Sequence, residues 1–284
     1  MPVLTEHHLR IGGRSITLLE GPAGWGECSP LPGYPCDPAA ARRAAEEAAA
    51  LGFPPARRDE VRVNALVEGP GFDPAALAGY SCVKVKVGAA GDADADLALV
   101  AAVRAAVGPG VALRVDANGA WDVETAVARL GALARYGLEL AEQPVASIED
   151  LARVRGRVTV PIAADECVRS VADACRVREL GAADAVVLKV QPLGGVRAAL
   201  EVAAAAGLPA IPTSMMETSV GIAAGLALAA ALDELPYACG LATATLLPGD
   251  VTAAPLVPHG DGMLRVRRVV PDAGLLARYA EAIT

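Results

Sequence analysis

Asp116, Glu142, Asp165 and Lys189 each follow a short apolar run, and they recur at intervals of 26, 23 and 24 residues. One strand, one helix and two loops need about that length of chain. Upstream lies Val83-Lys84-Val85-Lys86-Val87. On a strand, alternate residues face opposite sides, so both lysines share one face roughly 6–7 Å apart. Alone, the stretch reads as an edge strand with wet lysines. Its place one strand before Asp116, with Lys189 one strand after Asp165, gives it another meaning. Three carboxylates gathered from successive strands repel one another unless a hard divalent cation such as Mg²⁺ sits between them, completed by water and substrate oxygens. A single acidic residue at a strand end is as readily a helix cap, but three in phase are not explained that way. A cation that polarises a substrate carboxylate acidifies the neighbouring C–H, and a lysine beside it can remove or return that proton. The cation and the second lysine are predicted to keep the base lysine partly neutral near pH 7.

The elements that must present these residues follow from composition and pattern. A chain of 284 residues suffices for one barrel-sized domain with a small appendage. A net charge of −8 with pI near 5.0 argues against a nucleic-acid partner, because no basic face is concentrated enough to neutralise phosphates, and favours a small-molecule or protein partner; the site chemistry above makes a small-molecule carboxylate the expected substrate. The oligomeric state is not written in the sequence. Six cysteines without a Cys-x-x-Cys pair predict reduced thiols and a cytoplasmic protein. Met1–Arg10 lacks the apolar core of an export signal, and the longest uncharged run, Thr218–Leu232, is too short to span a bilayer and predicts a buried helix.

Three segments are expected: an α+β unit over 1–60, a catalytic barrel over 61–245, and a segment 246–284 that returns to the first unit. In the first, Gly12-Gly13 predicts a hairpin turn, and Asp37 is placed to cap a helix from Pro38 to Leu51. Gly24–Pro35, rich in Gly and Pro with two large aromatics, is expected to form no regular element and to be a lid loop or a structural connection. From Val61 onward, eight strands are predicted at 62–67, 82–87, 111–115, 138–141, 159–164, 185–189, 208–211 and 237–239. Alanine-rich helices lie between most of them, among them 93–107, 123–136, 170–180, 196–206 and 218–232. Alternation of β and α with continuous apolar strands implies a parallel sheet covered by helices, closed as a barrel rather than open. No Gly-x-Gly-x-x-Gly follows the first strand, which disfavours a dinucleotide fold. A strand over Met263–Val270 and a short helix from Asp272 are expected near the end.

Lys84-x-Lys86, Asp116-x-Asn118, Glu142-Gln143-Pro144, Asp165-Glu166, Lys189 and Gly194-Gly195 together resemble the enolase superfamily, in its muconate-lactonising subgroup. The resemblance implies an α/β fold, an enolase-like modified TIM barrel (β/α)7β under a small α+β capping domain, to which Trp25-Gly26-Glu27 and the terminal strand are similar. It also implies Mg²⁺ held by Asp116, Glu142 and Asp165, rather than Glu166. Arg114, Val63-Asn64-Ala65-Leu66, the run Ser214–Gly221 and Cys239–Thr243 further resemble the dehydratases of that subgroup, which serve menaquinone biosynthesis. Such an enzyme removes a proton and then water from 2-succinyl-6-hydroxy-2,4-cyclohexadiene-1-carboxylate (SHCHC), through an enediolate, to leave an aromatic ring. By this likeness Lys86 transfers the proton, Lys189 stabilises the intermediate across the ring, and Lys84 assists Lys86. Arg114, Asn118, Gly194, Ser214, Met215 and Gly240 are expected to touch substrate or support residues that do. N-acylamino-acid racemisation and muconate-type cycloisomerisation use the same machinery and remain open, as does a barrel that only binds. Dipeptide epimerisation loses its ammonium anchor, since Ala238, Cys239 and Gly240 stand where Asp-x-Asp would be. The chain is short for the superfamily, which trims the loops of the cap.

Asp92-Ala93-Asp94-Ala95-Asp96 imitates the opening of a calcium loop, but Leu97 and Val103 occupy the positions that need Gly and Glu, so a helix N-terminus is expected. Three scattered histidines form no zinc site, and neither a nucleophile elbow nor a phosphate loop occurs.

Overall fold

The computed structural model describes residues 3–89 and 92–281; Met1 and Pro2 of the N-terminal stretch and Ala282–Thr284 of the final segment lie outside the described residues. In chain order the first elements are β1 (Thr5–Ile11), β2 (Arg14–Gly21), β3 (Gly24–Cys28), α1 (Pro38–Leu51), β4 (Glu60–Arg62), β5 (Ala65–Val67), β6 (Cys82–Lys86) and α2 (Ala93–Val107). Next come β7 (Ala112–Asp116), α3 (Val123–Leu133), β8 (Leu138–Glu142), α4 (Ile148–Arg155), β9 (Ile162–Ala164), α5 (Val171–Leu180), β10 (Ala185–Lys189), α6 (Val190–Leu193) and α7 (Val196–Ala206). The chain ends with β11 (Ala210–Thr213), α8 (Ser219–Ala231), β12 (Met263–Arg265) and α9 (Ala273–Tyr279).

The N-terminal unit is an antiparallel sheet, β1-β2-β3, packed on α1. Gly12 and Gly13, both at positive φ, make the two-residue turn of the first hairpin. Asp37 caps α1 by accepting from Ala39 N at 2.9 Å, which ties the helix start to the proline that follows. The expectation of no regular element over Gly24–Pro35 is corrected for its first five residues. Gly24–Cys28 pairs with β2 in unbroken register, because the hairpin leaves an edge that needs a partner and Gly26 lets the strand lie against α1. A Cβ on Gly26 would stand 2.0 Å from the Ala45 carbonyl oxygen.

The run read as one strand over 62–67 is two. β4 pairs antiparallel with β12, whereas β5 opens the barrel sheet, and the chain changes partner at Val63 and Asn64. From β5 to β11 seven neighbouring strands are parallel. The crossover from β5 to β6 holds only a 3₁₀ turn at Pro74–Leu77, not an α-helix. An eighth strand at 237–239 does not form as such. Cys239 and Gly240 instead make single parallel bridges to Val63 and Thr213, with Asn64 N to Cys239 O and Gly240 N to Pro212 O both 3.0 Å. Pro236 limits pairing before this point, and Gly240 is tight against Thr213, where a Cβ would meet Cγ2 at 2.8 Å. Two residues therefore close the (β/α)7β barrel.

The barrel strands carry apolar side chains to both faces and are buried on both, the inner set between strands and the outer set beneath the helices. Helix starts follow their caps: Asp92, Asp122, Ser147, Ser170 and Thr218 each accept from backbone N–H of the first turn. Asp92 thus caps α2, the helix N-terminus expected there. α8 is buried nearly all round, and among the described residues no helix is long and apolar enough to cross a membrane. All six cysteines are free. The terminal strand is shorter than Met263–Val270 and pairs with β4. The return to the first sheet is made by α9 and by Glu281, whose N–H reaches His8 O at 2.8 Å.

Substituting Gly26→Ala should force β3 away from α1 and cost about 1–3 kcal/mol, the usual range for overpacking a tight contact. Thermal or urea denaturation of the variant measures it, and an unchanged midpoint would contradict the contact.

Candidate active site

Parallel strands in one register bring their last residues to one rim. Lys86 stands beside Asp116 and Asp116 beside Glu142 as Cα partners, Asp165 follows β9 by one residue, and Lys189 ends β10. Lys84 lies one pleat deeper on the inward face of β6. All six border a cavity of about 540 Å³ at the barrel mouth.

Their charges answer one another. Lys84 Nζ donates to Asp116 Oδ2 at 3.0 Å and to Glu142 Oε1 at 2.9 Å. Lys86 Nζ donates to the same Asp116 oxygen and to Asn118 Oδ1, both at 2.7 Å. Lys189 Nζ donates to both oxygens of Asp165, Oδ1 at 2.6 Å. The three carboxylates are at most 3% exposed, so none could be left unpaired cheaply. Burial pushes the carboxyls up; at Asp116 the Lys84 and Lys86 charges outweigh it and hold the group well below its usual range. At Glu142 burial wins and the Asp116 charge adds to it; at Asp165 burial wins over Lys189. Burial alone would lower Lys84 and Lys189, but the carboxylates facing them raise both. With ammonium groups standing on their oxygens, the acids do not form a ready-made cage: among the described residues no three His, Cys, Asp or Glu side chains are grouped to hold an ion.

Three non-glycine residues adopt left-handed backbone, Asn118 (φ 46°), Gln143 (φ 39°) and Met216 (φ 60°), and all three lie in loops at this mouth. Gln143 uses the conformation to place Oε1 2.7 Å from Asp165 N, joining the turn after Glu142 to the third carboxylate. Asn118 joins Lys86 to Glu166, donating to Glu166 Oε1 at 2.8 Å.

Asn118, Ser214, Met215 and Gly240 border the cavity as expected, and Ser214 Oγ donates to Gly240 O at 2.7 Å. Arg114 and Gly194 do not. Arg114 is buried below the mouth, bonded to Glu139 Oε2 (2.6 Å) and Ala238 O (2.8 Å), so it braces β7 against the closing residues rather than reaching substrate. Gly194, at φ 85°, ends α6 next to Arg43 of α1.

Sequence reasoning missed Tyr34. The loop after β3 carries it over the mouth, where its hydroxyl donates to Asp165 Oδ1 at 2.8 Å and its ring centroid lies 4.4 Å from Lys189 Nζ. Burial, and then the Asp165 charge, push the phenol well above its ordinary value, so it remains a donor. The glycines and prolines around it marked a loop, but no local signal told which wall it would meet. Glu27, named in the sequence only as part of Trp25-Gly26-Glu27, proves to be buried between the N-terminal sheet and α8. Burial and then Glu217 push its carboxyl up to about 7 from 4.5.

Residues 73–277 match the family model described as enolase C-terminal domain-like, and 8–49 the one described as enolase N-terminal domain-like. The chain belongs to the enolase superfamily. Among curated relatives, o-succinylbenzoate synthase of Thermobifida fusca (strain YX) is 54% identical over 272 residues, 92% of this chain and 86% of that protein. The o-succinylbenzoate synthase of Mycolicibacterium smegmatis is 47% identical over 275 residues, 94% and 84% of the two. Among solved structures, muconate lactonizing enzyme from Pseudomonas putida superposes with a TM-score of 0.84 over 99% of both chains, at 23% identity, a likeness of fold.

Because Glu27 binds its proton more tightly folded than unfolded, its contribution to stability is complete at acid pH and is lost as pH rises from about 4.5 through 7. Relative to Glu27→Gln, the wild type should lose about 2–3 kcal/mol between pH 5 and 8 in urea titrations, a flat difference being the contrary result.

Proposed function

We propose that the protein catalyses the dehydration of SHCHC to 2-succinylbenzoate, the o-succinylbenzoate synthase reaction, in menaquinone biosynthesis in the cytoplasm. The observation that carries the reading is Lys86 and Lys189 at opposite ends of a row of three buried carboxylates at one mouth. It is supported by relatives of that name aligned over more than nine-tenths of the chain.

In this reading Asp116, Glu142 and Asp165 are the residues that would hold Mg²⁺. The donor chemistry fits: hard oxygens, buried, and already answered by cationic groups. Lys84, Lys86 and Lys189, which now donate to those oxygens, would share them with the ion. When bound, Mg²⁺ supplies electrophilic stabilisation of charge that develops on the substrate carboxylate. Lys86, the less buried of the lysines on β6 and held by Asn118, takes the proton next to the carboxylate and returns it to the departing hydroxyl, which leaves as water. Lys189 lies across the mouth beside Asp165, where its ammonium faces the electron-rich ring of the intermediate. Lys84, deeper, holds Asp116 and Glu142 in place for Lys86. The N-terminal unit is the cap, and its Tyr34 loop excludes water from the mouth.

A lysine at each end of the carboxylate row also suits proton removal from one face of a carbon and return to the other. N-acylamino-acid racemisation is therefore the second reading.

Incubation with SHCHC and Mg²⁺ should produce 2-succinylbenzoate, followed by its absorbance. Racemisation without dehydration would transfer the assignment to the second reading. Dialysis against EDTA should abolish turnover and added Mg²⁺ restore it. Separately, Lys86→Ala should lower kcat by about 10³-fold or more while leaving the protein folded by circular dichroism, whereas a barrel that only binds would lose nothing.

A further inference from the structure

Behind the mouth, a buried polar network joins the N-terminal unit to the barrel, and none of its members enters the chemistry above. Glu27 on β3 sends its carboxylate to the start of α8. Oε1 accepts from Ser29 Oγ (2.6 Å) and Thr218 N (3.2 Å); Oε2 accepts from the Thr218 hydroxyl and from Gly221 N (3.0 Å). Two of these four donors are backbone amides at the helix N-terminus, which have no intrahelical acceptor and favour a carboxylate. Gly221 makes the approach possible, since a Cβ there would lie 3.1 Å from Glu27 Cδ and 2.5 Å from Glu217 Cβ.

From Glu27 the network continues to the rim. Ser29 N donates to Gln191 Oε1 at 2.8 Å, Gln191 Nε2 donates to Glu217 Oε1 at 3.0 Å, and Met215 N donates to Glu217 Oε2 at 3.0 Å. Gln191 is two residues past Lys189, Met215 borders the cavity, and Ser29 opens the loop that carries Tyr34. All five of Glu27, Ser29, Gln191, Glu217 and Thr218 are buried, and a satisfied network in that setting is rigid. The charged groups facing it are Glu217 from the loop before α8, Arg14 of β2, whose Nη2 donates to Ser29 O at 2.6 Å, and Lys189 on the rim side.

We propose that Glu27 is a positioning residue: through Ser29 and α8 it holds the Tyr34 loop closed over the mouth, so that substrate retention depends on it and proton transfer does not. It touches no reacting atom, and its effect on kinetics runs through the loop alone. The kinetic half of the inference rests on the dehydratase reading; the structural half does not.

Glu27→Gln keeps the size of the side chain but turns an amide nitrogen toward one of the donors that a carboxylate accepts, which breaks part of the network. Amide hydrogen exchange, read at Tyr34 and Cys36, whose N–H groups bond Leu31 O and Tyr34 O within the loop, reports without any substrate whether the loop keeps its ordered turn. In the variant, exchange at these two amides should rise about tenfold while amides of α3 stay unchanged, and KM for SHCHC should rise about tenfold with kcat within about threefold. Unchanged exchange and unchanged KM in a folded variant would overturn the proposal, as would equal exchange increases throughout the chain. Loss of kcat at constant KM would overturn it as well. If Glu27→Gln does not fold, Ser29→Ala carries the same two readouts, with the same directions expected and the same null result fatal. If the wild type does not dehydrate SHCHC, the exchange result alone decides, so the two failures are told apart.

Discussion

The mouth of the barrel is governed by the pairing of three buried carboxylates with three lysines. Each acid sits in a low-dielectric setting where an unpaired charge costs several kcal/mol, so the acids and the ammonium groups can be buried only together. That condition constrains the strands. β6, β7 and β8 must end in one register for Lys86, Asp116 and Glu142 to meet, and a slip of one residue would turn every one of them into the helical layer. The left-handed turns at Asn118 and Gln143 are part of the same arrangement, because just past the strand ends they let Asn118 Oδ1 accept from Lys86 Nζ and Gln143 Oε1 accept from the Asp165 backbone N–H.

The charge balance also gives two lysines two residues apart different surroundings. Lys84 bonds two carboxylates and is buried; Lys86 shares one of them with Asn118 and remains partly open to the cavity. In the proposed reaction the proton-moving lysine needs access to substrate, which suits Lys86, and the one that holds the acids in place does not, which suits Lys84. Alternation along one strand supplies both roles from a five-residue sequence.

The N-terminal unit completes the site through packing that depends on small residues. Gly26 lets β3 touch α1, and Gly221 lets Glu27 reach the helix beneath the rim. Between them, Trp25-Gly26-Glu27 joins the sheet to the barrel, and the loop that follows delivers Tyr34 to Asp165 and Lys189. The shortness of the chain has not removed this contact, although the closing strand of the barrel is reduced to Cys239 and Gly240.

Much of this was legible in the sequence because it depends on local periodicity. The spacing of Asp116, Glu142, Asp165 and Lys189, the alternation in Val83–Val87, and caps such as Asp37 and Asp92 are dictated by strand pleat, helix pitch and unsatisfied N–H groups, and the structure places all of them as the pattern implies. Where partners distant in sequence compete for a segment, local pattern carried no answer. The run 62–67 divided because β12 and Cys239 claim different halves of it, and Gly24–Cys28 became a strand because β2 offered an open edge. Arg114 was expected to touch substrate or to support residues that do, and which of the two was not legible: its length and charge are used to brace Ala238, more than a hundred residues away. Tyr34 and Glu27 acquire their partners only when the N-terminal sheet and its loop pack on the barrel. The sequence by itself determined which residues each element could present; only the tertiary structure decided which of them meet, because contacts between distant segments are set by packing and charge compensation across the whole fold rather than by the residues next in line.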